Sequence, residues 1–165
     1  MSDLSSDSCR PPAVVGYLTV IEDAEHGFFG GYLVLNAALR PLEFHCTAPV
    51  QPTRAQEILY GPTLREYVFG EQIGGALLAK ARAKADLVLV ETEEALAAQR
   101  ESDAPLAWLR KEESPGERRM ITASPHRPER AAVAEAFVTQ HPGLDLMEPF
   151  ERIRLAIAEA RRAAA

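Results

Sequence analysis

Glu43 and His45 stand one residue apart in the stretch EFHC, and strand residues at i and i+2 project from the same face of a sheet. A carboxylate beside an imidazole can orient a ligand, exchange a proton or begin a metal site. Cys46 is adjacent to His45, but adjacent strand residues point to opposite faces, so the imidazole cannot activate the thiol and Cys46 reads as a small core residue. Glu91 and Thr92 are a second candidate. They follow the apolar run LVLV, and where central strands are parallel their carboxyl ends face the usual ligand crevice. Each candidate has a plainer reading: Glu, His, Tyr and Thr solubilise a half-exposed sheet face, and an acidic residue before a helix favours its dipole.

Other mechanisms leave no trace. His26, His126 and His141 fall in expected loops without ligand spacing, so neither a metal nor a cofactor is expected. Gly30 and Gly31 open a strand pattern, and Gly74 and Gly75 lie inside a helical one, so neither pair forms a phosphate loop between strand and helix. There is no Gly-x-Ser-x-Gly elbow. The stretch RRMITASPHRPER can be read as an anion site or, more simply, as a solvated flank.

These residues need elements to position them. AVVGYLTVIE and FFGGYLVLN are β-branched and apolar enough for strands, with the Gly pair of the second suggesting a bulge. If Ala37 to Arg40 close a hairpin, Leu35 faces Leu42, Val34 faces Glu43, Leu33 faces Phe44 and Tyr32 faces His45. Leu33, Leu35, Leu42, Phe44 and Cys46 then form a core layer, while Tyr32, Val34, Glu43, His45 and Thr47 share a mixed face. A loop from Asp23 to Phe28 adds Leu18 and Val20 to the core layer and sets Tyr17 and Thr19 beside Tyr32; a slip of one residue reverses that assignment.

Thr53 with Gln56 forms a capping-box pattern for a helix stopped by Gly61 and Pro62, and Thr63 with Glu66 repeats it for a helix from Leu64 to about Ala83. Gly70, Gly74 and Gly75 predict a kink or a close backbone approach within that helix. Asp86 to Glu91 reads as a mid-sheet strand, and Thr92 as the cap of a short helix to about Arg100. A hairpin around SPGE follows, then two helices, one opening at Pro128 and one from an Asp145 and Glu148 capping box.

A chain of 165 residues, 47% hydrophobic and 25% charged, has the composition of one globular domain. Residues 1 to 12, including Cys9, lack apolar groups and read as a disordered tail, which leaves 13 to 163 as the domain. The net charge of -6 offers no concentrated positive field, so nucleic acid is not an expected partner, nor is a membrane. No signal-peptide pattern is present, which places the chain in the cytoplasm.

The expected fold is α+β: a mixed, mainly antiparallel sheet of about six strands in the order βββααβαββαα, with helices on at least one face. The leading functional expectation is a non-catalytic binding or adaptor module, with Tyr32, Glu43, His45, Glu91 and Thr92 as binding residues. It would recognise a protein partner, a second copy of the chain or a small-molecule ligand through the mixed sheet face. The alternative is a small enzyme of hydrolase or transferase type that uses Glu43, His45 and Glu91.

Overall fold

The computed structural model describes residues 11–111, 118–122 and 131–164. Its centre is one six-stranded mixed sheet built from β1 (Val14–Asp23), β2 (Gly27–Asn36), β3 (Pro41–Cys46), β4 (Leu87–Val90), β5 (Leu106–Lys111) and β6 (Arg118–Thr122), in the order β3-β2-β1-β4-β5-β6. The first three strands form the expected antiparallel meander. β4 lies parallel to both β1 and β5, and β6 closes the far edge as an antiparallel hairpin partner of β5. The turn of that hairpin and Pro128 lie outside the described residues, as do Cys9, His126 and nearly all of the tail; Pro12, expected in the tail, is buried.

Both faces of the sheet are covered, which accounts for β4 being apolar at every position. On one face Tyr17, Leu33, Leu35, Leu87 and Leu89 pack under α4 (Ala131–Gln140) and α5 (Glu148–Ala164), through Phe137, Phe150 and Ile153. On the other, Leu18, Tyr32, Val34, Val88 and Val90 pack under the segment between β3 and β4. That segment holds α1 (Arg54–Tyr60), a 3-10 turn at Gly61–Thr63, α2 (Leu64–Glu66), a π-helical stretch at Tyr67–Gly74 and α3 (Gly75–Lys80). The capping box at Thr53 and Gln56 is formed as read. The kink expected from the glycines takes the form of the π stretch, and Gly70 and Gly74 lie against Ala97 and Ala98 of a 3-10 run at Glu93–Glu101. Helix α3 stops at Lys80, short of Ala83.

Three expectations about the meander are corrected. First, β1 and β2 pair one residue away from the preferred register: Leu18 faces Tyr32 and Tyr17 faces Leu33, so Tyr17 and Thr19 lie on the face opposite Tyr32. Second, the Gly30 and Gly31 pair is not a bulge, since β1 pairs without interruption across it. A Cβ on Gly30 would strike Ile73 and one on Gly31 would strike Ile153, so the pair lets helices approach the sheet closely from both sides. The irregularity falls instead between Val34 and Leu35, where Leu35 pairs with Pro41 and not with Leu42.

Third, the core layer ends at β2. β3 is an edge strand whose outward residues are left without a helix above them, and Leu42 is 52% and Phe44 36% exposed. Cys46 is likewise exposed and not a core residue. The Tyr32 face of β2, expected to be a mixed surface, is buried as well: Tyr32 is 1% and Val34 0% exposed.

Candidate functional site

Glu91 follows directly on the buried run of β4. Alternation along that strand directs it to the face of Leu87 and Leu89, toward α5. Leu18 pairs with Val90, which sets Thr19 beside Glu91, and β4 ends there while β1 runs on to Asp23. A carboxylate therefore stands at the carboxyl end of β4, in the step left where that strand stops beside the longer β1.

The buried Thr19 donates its hydroxyl to Glu91 Oε1, and Arg154 of α5 donates Nη2 to the same oxygen. Arg154 also lies 3.7 Å from Glu151, and the Trp108 indole donates to the Glu91 carbonyl at 3.2 Å. Both side-chain bonds fall on one oxygen. Among the described residues nothing bonds Oε2, although the Glu91 side chain is only 12% exposed. An arginine that serves only to neutralise a carboxylate commonly engages both oxygens. Thr92, the other residue expected here, is extended and half-buried at the start of the 3-10 run and makes no capping bond with its side chain.

Glu43 and His45 form a different arrangement. Their side chains do meet, with His45 Nε2 at 2.6 Å from Glu43 Oε1. Glu43 also accepts the backbone amide of Arg82 at 2.9 Å and that of Ala83 at 2.8 Å, so both of its oxygens are occupied. The Arg82 amide, then the imidazole and the Ala83 amide, lower the carboxyl pKa from 4.5 to about 2. This pair ties the edge strand β3 to the chain leaving α3. Burial, and behind it the Glu43 carboxylate, push the Tyr32 phenol above its ordinary value. Glu43, His45 and Glu91 do not converge: the first two lie on the α3 side of the sheet and Glu91 on the α5 side.

Two arginines of α5 were missed in the sequence. Arg154 reaches Glu91, and Arg161 pairs with Asp23 at 2.9 Å while lying over the Phe29 ring. Asp23 also accepts the amides of Glu25 and His26 at the hairpin turn; the Glu25 amide and Arg161 are the main causes holding its carboxyl far below the usual range. Their i, i+7 spacing, beside Ile153 and Ile157, was the available signal that both face the sheet. Among the described residues no group of three His, Cys, Asp or Glu side chains could hold a metal ion, and no helix is long and apolar enough to cross a membrane.

No protein-family model matches the chain, and no curated protein matches it. Among solved structures, Ciona intestinalis endonuclease V, in complex with a 23-mer DNA containing an inosine followed by a ribo-adenosine, is similar with a TM-score of 0.38 and 13% identity. The match covers 64% of this chain and 49% of that one, so the chain spans about half the length of the structure it resembles. The expected non-catalytic module is corrected at its recognition surface: Tyr32 and Val34 of the sheet face assigned to recognition are buried. The expectation that nucleic acid is not a partner is not maintained either; the matched structure is itself a DNA complex. A likeness of this size assigns neither a substrate nor a reaction to the present chain.

Proposed function

We propose that residues 13 to 163 form a small enzyme of hydrolase or transferase type, with Glu91 as its general acid or base and Arg154 as the anchor for an anionic group of the substrate. One observation carries the reading: Glu91 spends a single oxygen on its two side-chain partners, and among the described residues Oε2 has no partner, at the carboxyl end of β4 beside Thr19 of β1. In such a site Oε2 takes a proton from the attacking water or hydroxyl group as the new bond to carbon or phosphorus forms. The same proton then passes to the leaving group as the old bond breaks. The Thr19 bond holds the carboxylate in one orientation throughout. Arg154, 40% exposed, can turn part of its donor fork toward a carboxylate or phosphate ester. Glu43 and His45 take no part in this scheme.

The test is turnover of p-nitrophenyl acetate, p-nitrophenyl phosphate, bis(p-nitrophenyl) phosphate and single- and double-stranded oligonucleotides. The expected result is hydrolysis of at least one of them, with kcat lowered about 100-fold or more in Glu91→Gln and KM raised in Arg154→Ala. An inert wild-type protein across the panel, or a Glu91→Gln variant as active as wild type, would overturn the proposal.

A further inference from the structure

At the opposite ends of the same strands, where β4 and β5 begin, lies a cavity of about 540 Å3, within the size range of small-molecule sites. Its apolar walls come from Leu78 of α3, Ala81 and Ala83 just beyond that helix, Val88 of β4, and Ala104 and Pro105 ahead of β5. Tyr32 lines it from β2. The Tyr32 ring lies across β1 above Gly16, where a Cβ would strike its hydroxyl and the adjoining ring carbons, so only glycine at position 16 permits this placement. Gly16 pairs with Val88, a wall residue, and the tip of the ring is therefore the part that reaches the cavity.

Tyr32 is 1% exposed as a whole residue, and its hydroxyl, which makes no hydrogen bond among the described residues, is open only toward the cavity that Tyr32 lines. A hydroxyl at a cavity wall with no partner from the chain is free to donate to a molecule that enters the cavity. Burial and the Glu43 carboxylate favour the protonated phenol, which makes the group a donor. Lys84, Asp86, Glu101 and Asp103 line the same cavity, so acidic groups outnumber basic ones and an anionic ligand is disfavoured. Asp86 spends Oδ2 on the amides of Ala13 and Val14, at 3.0 Å each, and Lys84 offsets part of the acidity, so the apolar walls select the ligand more than charge does.

We infer that this cavity binds an uncharged small molecule that presents a carbonyl-type acceptor to the Tyr32 hydroxyl and lays an apolar body against Leu78, Ala81 and Val88. The site is separate from Glu91, and neither proposal depends on the other.

The experiment is an NMR titration of the full chain with three probes: N-methylbenzamide, benzoate and benzylamine. The expected result is saturable shifts at Tyr32, Val88 and Ala104 with N-methylbenzamide, and much weaker shifts with either charged probe. Tyr32→Phe should weaken N-methylbenzamide binding about twofold to tenfold without lowering the melting temperature, because the hydroxyl has no partner to lose. Ala83→Leu, at a half-buried wall position, should block the site and leave the fold intact. The inference is overturned by absent or scattered shifts, by benzoate or benzylamine binding as tightly as the amide, or by unweakened binding in Tyr32→Phe. A melting temperature several degrees lower in Tyr32→Phe would also overturn it, since the hydroxyl would then have an internal partner.

Discussion

Glu43, in β3, and Glu91, just past β4, are both carboxylates beside a polar neighbour, on opposite faces of one sheet, and they are satisfied to different degrees. Glu43 uses both oxygens, on two backbone amides and an imidazole, and holds an edge strand to the chain beyond α3. Glu91 uses one oxygen, on a buried hydroxyl and a half-exposed arginine, and among the described residues keeps the other. A carboxylate whose acceptors are filled by its own chain is structural, because any ligand must displace bonds already made; one with a spare oxygen can accept a proton without such a cost. The contrast shows that the number of unspent acceptors, more than the identity of the neighbour, separates a candidate for chemistry from a fastener.

The largest disturbance of this contrast should come from Phe150→Ala. Phe150 is fully buried, its ring centroid is 5.0 Å from that of Tyr17, and it anchors the helix that carries Arg154. The substitution should cost about 3 to 5 kcal/mol in urea unfolding. Amide resonances around Glu91 and Arg154 should move while those of Arg82 and Ala83 stay in place; movement of both sets would show that the two clusters are one unit.

Glu43→Gln comes next, with a melting temperature several degrees lower at neutral pH. The folded carboxyl pKa lies below the ordinary value, so its contribution is complete above about pH 4.5 and disappears as pH falls toward about 2. Thermal scans of wild type and variant should therefore converge across that window, and a gap that stays constant with pH would remove Glu43 as the fastener. Thr19→Val, which keeps the shape of a side chain that is 1% exposed but deletes the donor to Glu91, should cost about 1 to 2 kcal/mol by urea unfolding.

Glu91→Gln should change stability least, within about 1 kcal/mol, since its charged partner Arg154 is 40% exposed and regains water. A loss larger than that of Glu43→Gln would reverse the comparison and make Glu91 the fastener.

How much of this could be read beforehand differs by region. The pairing of Tyr32, Leu33 and Val34 with His45, Phe44 and Glu43 follows from a short hairpin closed at Asn36, which is local information. The Thr53 capping box is local in the same way, and a four-residue strand apolar at every position could lie only inside a covered sheet. The first hairpin was less legible because its loop admits two lengths, and one residue of slip transfers Tyr17 and Thr19 to the other face. Thr19 was accordingly assigned to Tyr32, and its bond to Glu91 was missed. Arg154 was missed because a helix arginine resembles a solvated one until the helix is docked.

The chain by itself determined its strands, most helix starts, the central position of β4 and the closeness of Glu43 to His45, since alternation, caps and short turns act over a few residues. Tertiary structure alone decided that both sheet faces are buried, that β3 is an edge with Leu42 and Phe44 outside the core, and which carboxylate keeps an oxygen unbonded among the described residues. Those outcomes depend on where α5 and the segment between β3 and β4 come to rest. Bonds such as Thr19 to Glu91 and Arg154 to Glu91 join residues 72 and 63 positions apart, a separation no local pattern encodes.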